Sequence, residues 1–140
     1  MKILFYGAGV IGSLYAARLQ EAGHDVSILA RGQHLKDLRE HGIVLEHGLT
    51  GEQTTTRVKV VQQLSPEDTY DLVVVVMRKN QVPAVLPILS ANQRTPNVLF
   101  MVNNPSSYDD WIQPAFLTKR AIAKAKKPTA YRFDPGIRFC

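Results

Sequence analysis

Lys2-Ile3-Leu4-Phe5-Tyr6-Gly7-Ala8-Gly9-Val10-Ile11-Gly12 opens the chain, and its reading decides the fold. Residues 3–6 are a short apolar run that stops at a glycine, which predicts a buried strand. Beyond Val10 the period changes. Ile11, Leu14, Tyr15, Leu19 and Ala22 recur at helical spacing, and Gly23 supplies a stop. Residues 25–30 then alternate, with Val26 and Ile28 on one face, as a second strand does. The glycines therefore form G-x-G-x-x-G between a strand and a helix, the context in which that motif carries information. Gly7 turns the chain sharply off the strand, Gly9 lets the backbone approach a diphosphate, and Gly12 allows close helix–strand packing. The turn Gly7, Ala8, Gly9, Val10, Ile11, Gly12 is the candidate dinucleotide seat, with unpaired N–H groups and the positive end of a helix dipole facing the phosphates.

The tip of the second strand selects the dinucleotide. A site for NAD usually carries Asp or Glu there, about 20 residues beyond the glycine turn, to hold the ribose 2′-hydroxyl. Here Arg31 occupies the place, in Leu29-Ala30-Arg31-Gly32. A guanidinium cannot accept from a hydroxyl but grips a 2′-phosphate in a charge-assisted fork. Such bonds contribute about 1.5–3 kcal/mol net, a preference for NADP over NAD of roughly tenfold to a hundredfold. NADP(H) is the expected cofactor.

Outward from this unit the chain keeps alternating. Residues 33–41 read as a helix ending at Gly42, and residues 43–46 and 54–61 as a hairpin-like excursion of two β segments. Leu72-Val73-Val74-Val75-Val76-Met77 suits a strand covered on both faces. Residues 81–90 read as a helix with Pro83 in its first turn, and residues 98–102 as a further buried strand. This order argues for an α/β fold, a doubly wound, mostly parallel Rossmann-like sheet. In such a sheet ligands sit beyond the carboxyl ends of the strands, so Arg31, Arg78 and Asn103 are expected to converge with the glycine turn.

At 140 residues, 45% apolar and 21% charged, the chain suits one globular domain and excludes disordered, collagen-like and coiled-coil classes. Its net charge of +5 divides unevenly: residues 1–114 hold 10 basic and 11 acidic side chains, whereas residues 115–140 hold 7 and 1. The body thus lacks the basic balance of a nucleic-acid binder. The boundary drawn from this is a dinucleotide-binding domain over residues 1–113 and a basic tail over 114–140. Within the tail, residues 118–128 read as a short basic helix, and Tyr131, Phe133 and Phe139 interleave with Arg132 and Arg138, the pattern behind an alternative reading as a basic interaction protein. The single cysteine, Cys140, leaves no internal disulfide and fits a reducing compartment. Glycines interrupt the N-terminal apolar run, so no signal peptide or membrane span is expected and the chain reads as cytoplasmic. His24, His34, His41 and His47 show no ligand spacing and read as surface or turn residues; no metal site is expected.

Residues 2–12, Gly23-His24-Asp25-Val26, Arg31, the run from Tyr70 through Gln81, and residues 98–104 together resemble the N-terminal domain of ketopantoate reductase (2-dehydropantoate 2-reductase) over about the first 113 positions. The resemblance implies NADPH-dependent reduction of a small 2-keto acid, 2-dehydropantoate, to pantoate in pantothenate biosynthesis. It assigns Gly7, Gly9 and Gly12 to the phosphate turn, Arg31 to the 2′-phosphate, and Asn103 to the neighbourhood of nicotinamide and substrate. Arg78 stands where the family has lysine, which keeps a cation with different geometry. Asn104-Pro105 stands where glycine is common. The resemblance further implies a helical C-terminal domain carrying a catalytic lysine and a carboxylate. No stretch of that length follows Gln113, so the expectation is a truncated member with no catalytic residue of its own to nominate. The partners expected are NADPH and a small 2-keto acid, with a homo-oligomer or the missing catalytic domain as further candidates. The alternative is a non-catalytic module that holds or senses the nucleotide.

Overall fold

The computed structural model describes residues 1–102, 121–124 and 137–138. Strand β1 (Lys2–Tyr6) leads into helix α1 (Val10–Glu21), strand β2 (Asp25–Leu29) and helix α2 (Gly32–His41). Strands β3 (Ile43–His47), β4 (Gln53–Thr56), β5 (Lys59–Val61) and β6 (Leu72–Val75) follow. A single 3-10 turn (Lys79–Gln81) enters helix α3 (Val82–Ala91), and strands β7 (Asn97–Phe100), β8 (Ala121–Lys124) and β9 (Ile137–Arg138) complete the set.

Six strands form the main sheet in the order β5-β2-β1-β6-β7-β8, and every neighbouring pair is parallel. The order runs outward from β1 to β2 on one side and from β6 to β7 on the other. The carboxyl ends of β1 and β6 therefore flank a crevice, where the chain reverses its direction of travel across the sheet. This is the doubly wound α/β architecture expected from the alternation.

The pleat explains the apolar runs. Ile3, Phe5, Val26, Ile28 and Val74 point to one face and pack with Ala16 and Ala17 of α1, Leu35 and Leu38 of α2, and Ile43 and Leu45 of β3. Leu4, Tyr6, Val73, Val75, Val98 and Phe100 point to the other and pack with Val82, Val85 and Leu89 of α3. Both faces being covered, the central strands need no polar alternation. On α1 the small residues Gly12, Ala16 and Ala17 make the buried stripe. Tyr15, part of the expected apolar spacing, is exposed, because a helix lying this close to a sheet admits only small side chains beneath it.

Two expectations are corrected. The segment 54–61 is two strands in two sheets. β4 pairs antiparallel with β3, which β9 flanks on its other side, and β5 joins the main sheet beside β2. The break at Arg57 and Val58 lets one β-rich stretch serve both. In the tail, Ala121–Lys124 lies in a strand rather than within a helix, paired with Asn97–Phe100 along the edge of the main sheet. An available parallel edge overrides the helical preference of alanine and lysine. Of the other aromatic and basic tail positions, Arg138 lies in β9 and the rest lie outside the described residues. Among the described residues no helix is long and apolar enough to cross a membrane.

Candidate functional site

The glycine turn begins with a steric necessity. Gly7 has φ of +129°, and a Cβ there would stand 2.1 Å from the Val76 carbonyl oxygen. The carbonyl is held in place because the Val76 N–H donates to the Tyr6 carbonyl oxygen at 3.0 Å, continuing the β1–β6 ladder past the strand end. Gly12 is required by the same crowding, since its Cβ would meet the Gly7 carbonyl oxygen at 2.1 Å. Gly9 differs. Its backbone is extended, at φ −78° and ψ −177°, and apart from its chain neighbours no atom of the described residues lies within 4 Å of where a Cβ would be. Neither conformation nor packing asks for glycine there.

Gly9 is also the N-cap of α1, and no side chain caps that end or places an acid in its first turn. First-turn N–H groups have no partner inside a helix, so this end offers donors and a positive dipole to whatever lies in front of it. What lies in front is a cleft of 1040 Å³. Its floor and walls come from Tyr6, the turn Gly7, Ala8, Gly9, Val10 and Ile11, the tip of β2 at Leu29, Ala30 and Arg31, and the segment after β6 at Val76, Met77 and Arg78. His34, Asn80, Gln81, Ala84, Val85, Ile88 and Met101 complete it. Thus Gly7, Ala8, Gly9, Val10, Ile11, Arg31 and Arg78 come together as anticipated. Gly12 does not line the cleft; its role is the packing beneath the turn. Asn103 lies outside the described residues.

Arg31 is the N-cap residue of α2 and is exposed, with its Nη2 3.4 Å from the Tyr6 hydroxyl oxygen. That separation makes a weak contact, yet it orients the guanidinium toward the tip of β1 and hence toward the glycine turn. On the opposite wall, Gln81 folds back. Its Oε1 accepts from the Arg78 N–H at 3.2 Å while its own N–H donates to the Arg78 carbonyl oxygen at 2.9 Å, fixing the 3-10 turn that carries Arg78. The cleft lining contains cations and carboxamides but no Asp or Glu among the described residues, an electrostatic setting suited to an anion. Four polar cleft residues were not among the site residues expected from sequence: Tyr6, His34, Asn80 and Gln81. Tyr6 reads as strand core and is buried, with only its hydroxyl reaching the rim. His34 carries no motif, and only its place on the cleft wall marks it. Among the described residues no group of three or more metal-ligating side chains gathers.

Comparison with known proteins gives a consistent answer. A 2-dehydropantoate 2-reductase from Pyrococcus horikoshii is 40% identical over 57 residues, covering 41% of this chain and 19% of that protein. Another from Mesorhizobium japonicum is 34% identical over 87 residues, covering 61% and 26%. The chain thus spans about a fifth to a quarter of the length of these relatives. The crystal structure of the probable 2-dehydropantoate 2-reductase panE from Bacillus subtilis superposes with a TM-score of 0.75 at 26% identity, over 89% of this chain and 40% of that one. The ketopantoate reductase PanE/ApbA family profile matches residues 3–124, running from β1 through β8. With that match over most of its length, and the parallel sheet and glycine turn to go with it, the chain belongs to the ketopantoate reductase family.

Proposed function

We propose that this chain is the NADP(H)-binding part of an oxidoreductase of ketopantoate reductase type, acting on a small 2-keto acid with 2-dehydropantoate as the first candidate. The observation that carries the reading is Gly9, a glycine that the fold does not need, at a helix end that opens on an anion-suited cleft. A diphosphate against the turn would use the space a Cβ at Gly9 would fill, and the first-turn N–H groups of α1 would donate to it. Arg31 would hold the ribose 2′-phosphate, and Arg78 would keep a second cation on the β6 wall. Asn103 is proposed, from the family resemblance, to sit near the nicotinamide and the substrate.

When bound, NADPH supplies a hydride to the keto carbon. The reduction also needs a proton for the developing alkoxide. Among the described residues the cleft lining offers neither lysine nor carboxylate for that step, so the proton donor is proposed to come from elsewhere, as a catalytic domain or a second subunit would provide. One other reading, favoured by a cleft lining without lysine or carboxylate among the described residues, is a module that holds the nucleotide without turning it over.

Titrating NADPH and NADH in parallel, then assaying turnover with 2-dehydropantoate on the same sample, tests all of this. We expect NADPH to bind roughly tenfold to a hundredfold more tightly than NADH. Arg31→Asp should abolish that preference by weakening NADPH far more than NADH. Equal losses for both cofactors would refute the role given to Arg31, and NADPH binding without turnover would favour the module.

A further inference from the structure

Arg31 stands between two hollows. One is the cleft in front of the glycine turn. The other, of 420 Å³, lies toward the sheet edge and is lined by Arg31, Gly32, Leu35, Gln62 and Gln63. A ribose phosphate gripped by Arg31 has either side open to it, and two observations favour the cleft. The guanidinium leans to the Tyr6 hydroxyl at the tip of β1, away from the Gln62–Gln63 side. His34 lines the cleft and takes no part in the outer hollow. The N-cap and N3 residues of a helix lie side by side, as in a capping box, so Arg31 at the N-cap of α2 and His34 at its third position flank one spot on the cleft wall.

We propose that His34 is a second ligand of the ribose 2′-phosphate, its ring N–H donating to a phosphate oxygen opposite the Arg31 fork. The inference rests on the dinucleotide reading above and adds to it a specificity-determining residue that reads only phosphorylated adenosine. An imidazole suits the task because it offers an N–H donor in either charge state. It is also short enough to act from the first turn of α2 without blocking the cleft. Among the described residues the Tyr6 hydroxyl, Arg31 and Arg78 are the other titratable or charged groups on the cleft lining, and none of them is a carboxylate that would compete for the ring.

The probes are adenosine 2′,5′-bisphosphate and 5′-AMP, which differ only in the 2′-phosphate, titrated calorimetrically into the full 140-residue chain. Wild type should prefer the bisphosphate. His34→Ala should weaken the bisphosphate by about tenfold and leave 5′-AMP unchanged, while Gln62→Ala leaves both unchanged. His34 is exposed, so its removal should leave the fold intact, which circular dichroism verifies. A His34→Ala protein that keeps the wild-type preference, or loses affinity for both probes alike, overturns the inference while the dinucleotide reading stands. A loss confined to Gln62→Ala overturns it by moving the phosphate to the outer hollow. Wild type binding neither probe brings down both readings together.

Discussion

Three glycines in one hexapeptide do three separable things, and the separation can be measured. At Gly7 a side chain would be strained by the positive φ and would strike the Val76 carbonyl; at Gly12 it would strike the Gly7 carbonyl. Both contacts are to backbone, which cannot swing aside, so Gly7→Ala and Gly12→Ala should each lower unfolding free energy by about 1–3 kcal/mol. At Gly9 the added methyl meets nothing. Gly9→Ala should therefore change stability by no more than about 0.5 kcal/mol while weakening NADPH by roughly tenfold or more, as overpacking against a bound diphosphate would. Urea denaturation and NADPH titration on the three variants check this. A Gly9→Ala protein with undiminished affinity would remove the main support for the proposed site. The motif's spacing marked the glycine turn, and the tip of β2 marked Arg31, as positions that would converge, and both line the cleft. His34 was not marked, because a lone histidine has no motif; only the cleft wall distinguishes it from His24, His41 and His47.

Among the elements, the link from α3 to β7 shows what periodicity cannot reveal. Asn92, fully buried just past α3, donates from Nδ2 to the carbonyl oxygens of Ser65 and Asp68 at 2.7 and 2.8 Å, and its Oδ1 accepts from the Thr95 N–H at 3.2 Å. One side chain thus ties the loop before β6 to the loop before β7. Nothing in the sequence marks it, since hydrogen bonds to a distant loop leave no trace on local pattern. Asn92→Leu removes the bonds to the buried Thr95 N–H and to the part-buried carbonyls of Ser65 and Asp68 and should cost about 1–3 kcal/mol, measurable as a lower urea midpoint; an unchanged midpoint would show the loops to be held otherwise. The split of residues 54–61 was hidden for a related reason, because threonine and valine suit either sheet and only pairing decides. The contact between α1 and β4 carries a pH signature. The Thr56 hydroxyl donates to Glu21 Oε1 at 2.7 Å and Arg18 Nη1 to Oε2 at 2.8 Å. These bonds, Thr56 first, hold the Glu21 carboxyl below its ordinary range against a small opposing effect of burial. A group whose folded pKa is depressed contributes stability above its unfolded value, and that contribution is lost as pH falls through the folded value. Urea midpoints from pH 7 down to about 3 should therefore fall more steeply for wild type than for Glu21→Gln. Parallel curves would mean that the exposed pair contributes nothing.

For the molecule as a whole, the position of the cleft follows from strand order alone. β1 and β6 are neighbours that lead away in opposite directions, so their carboxyl ends must leave a gap, and the glycine turn lies at one lip with Arg78 at the other. This was legible because a run of four valines demands two covered faces and a parallel sheet satisfies that demand. The joining of β8 to the edge of the main sheet and of β9 to β3 was not, since each is a pairing between segments far apart in sequence. A ligand in the gap touches β1, α1, β2 and the segment after β6 at once, and those elements share the two hydrophobic cores on either side of the sheet. Binding there cannot stabilise one wall without the others, so its effect should appear in cooperative unfolding rather than in a local transition. A ligand that binds only the folded chain adds about 2.7 kcal/mol at a concentration one hundred times its dissociation constant. For a domain of this size that raises the thermal midpoint by roughly 8 °C. We therefore expect NADPH to shift a single calorimetric transition upward by that amount, and NADH at the same concentration to shift it less. A transition that splits in two would show that the walls of the cleft unfold independently, and one that stays in place in excess NADPH would show that the folded chain does not bind the nucleotide.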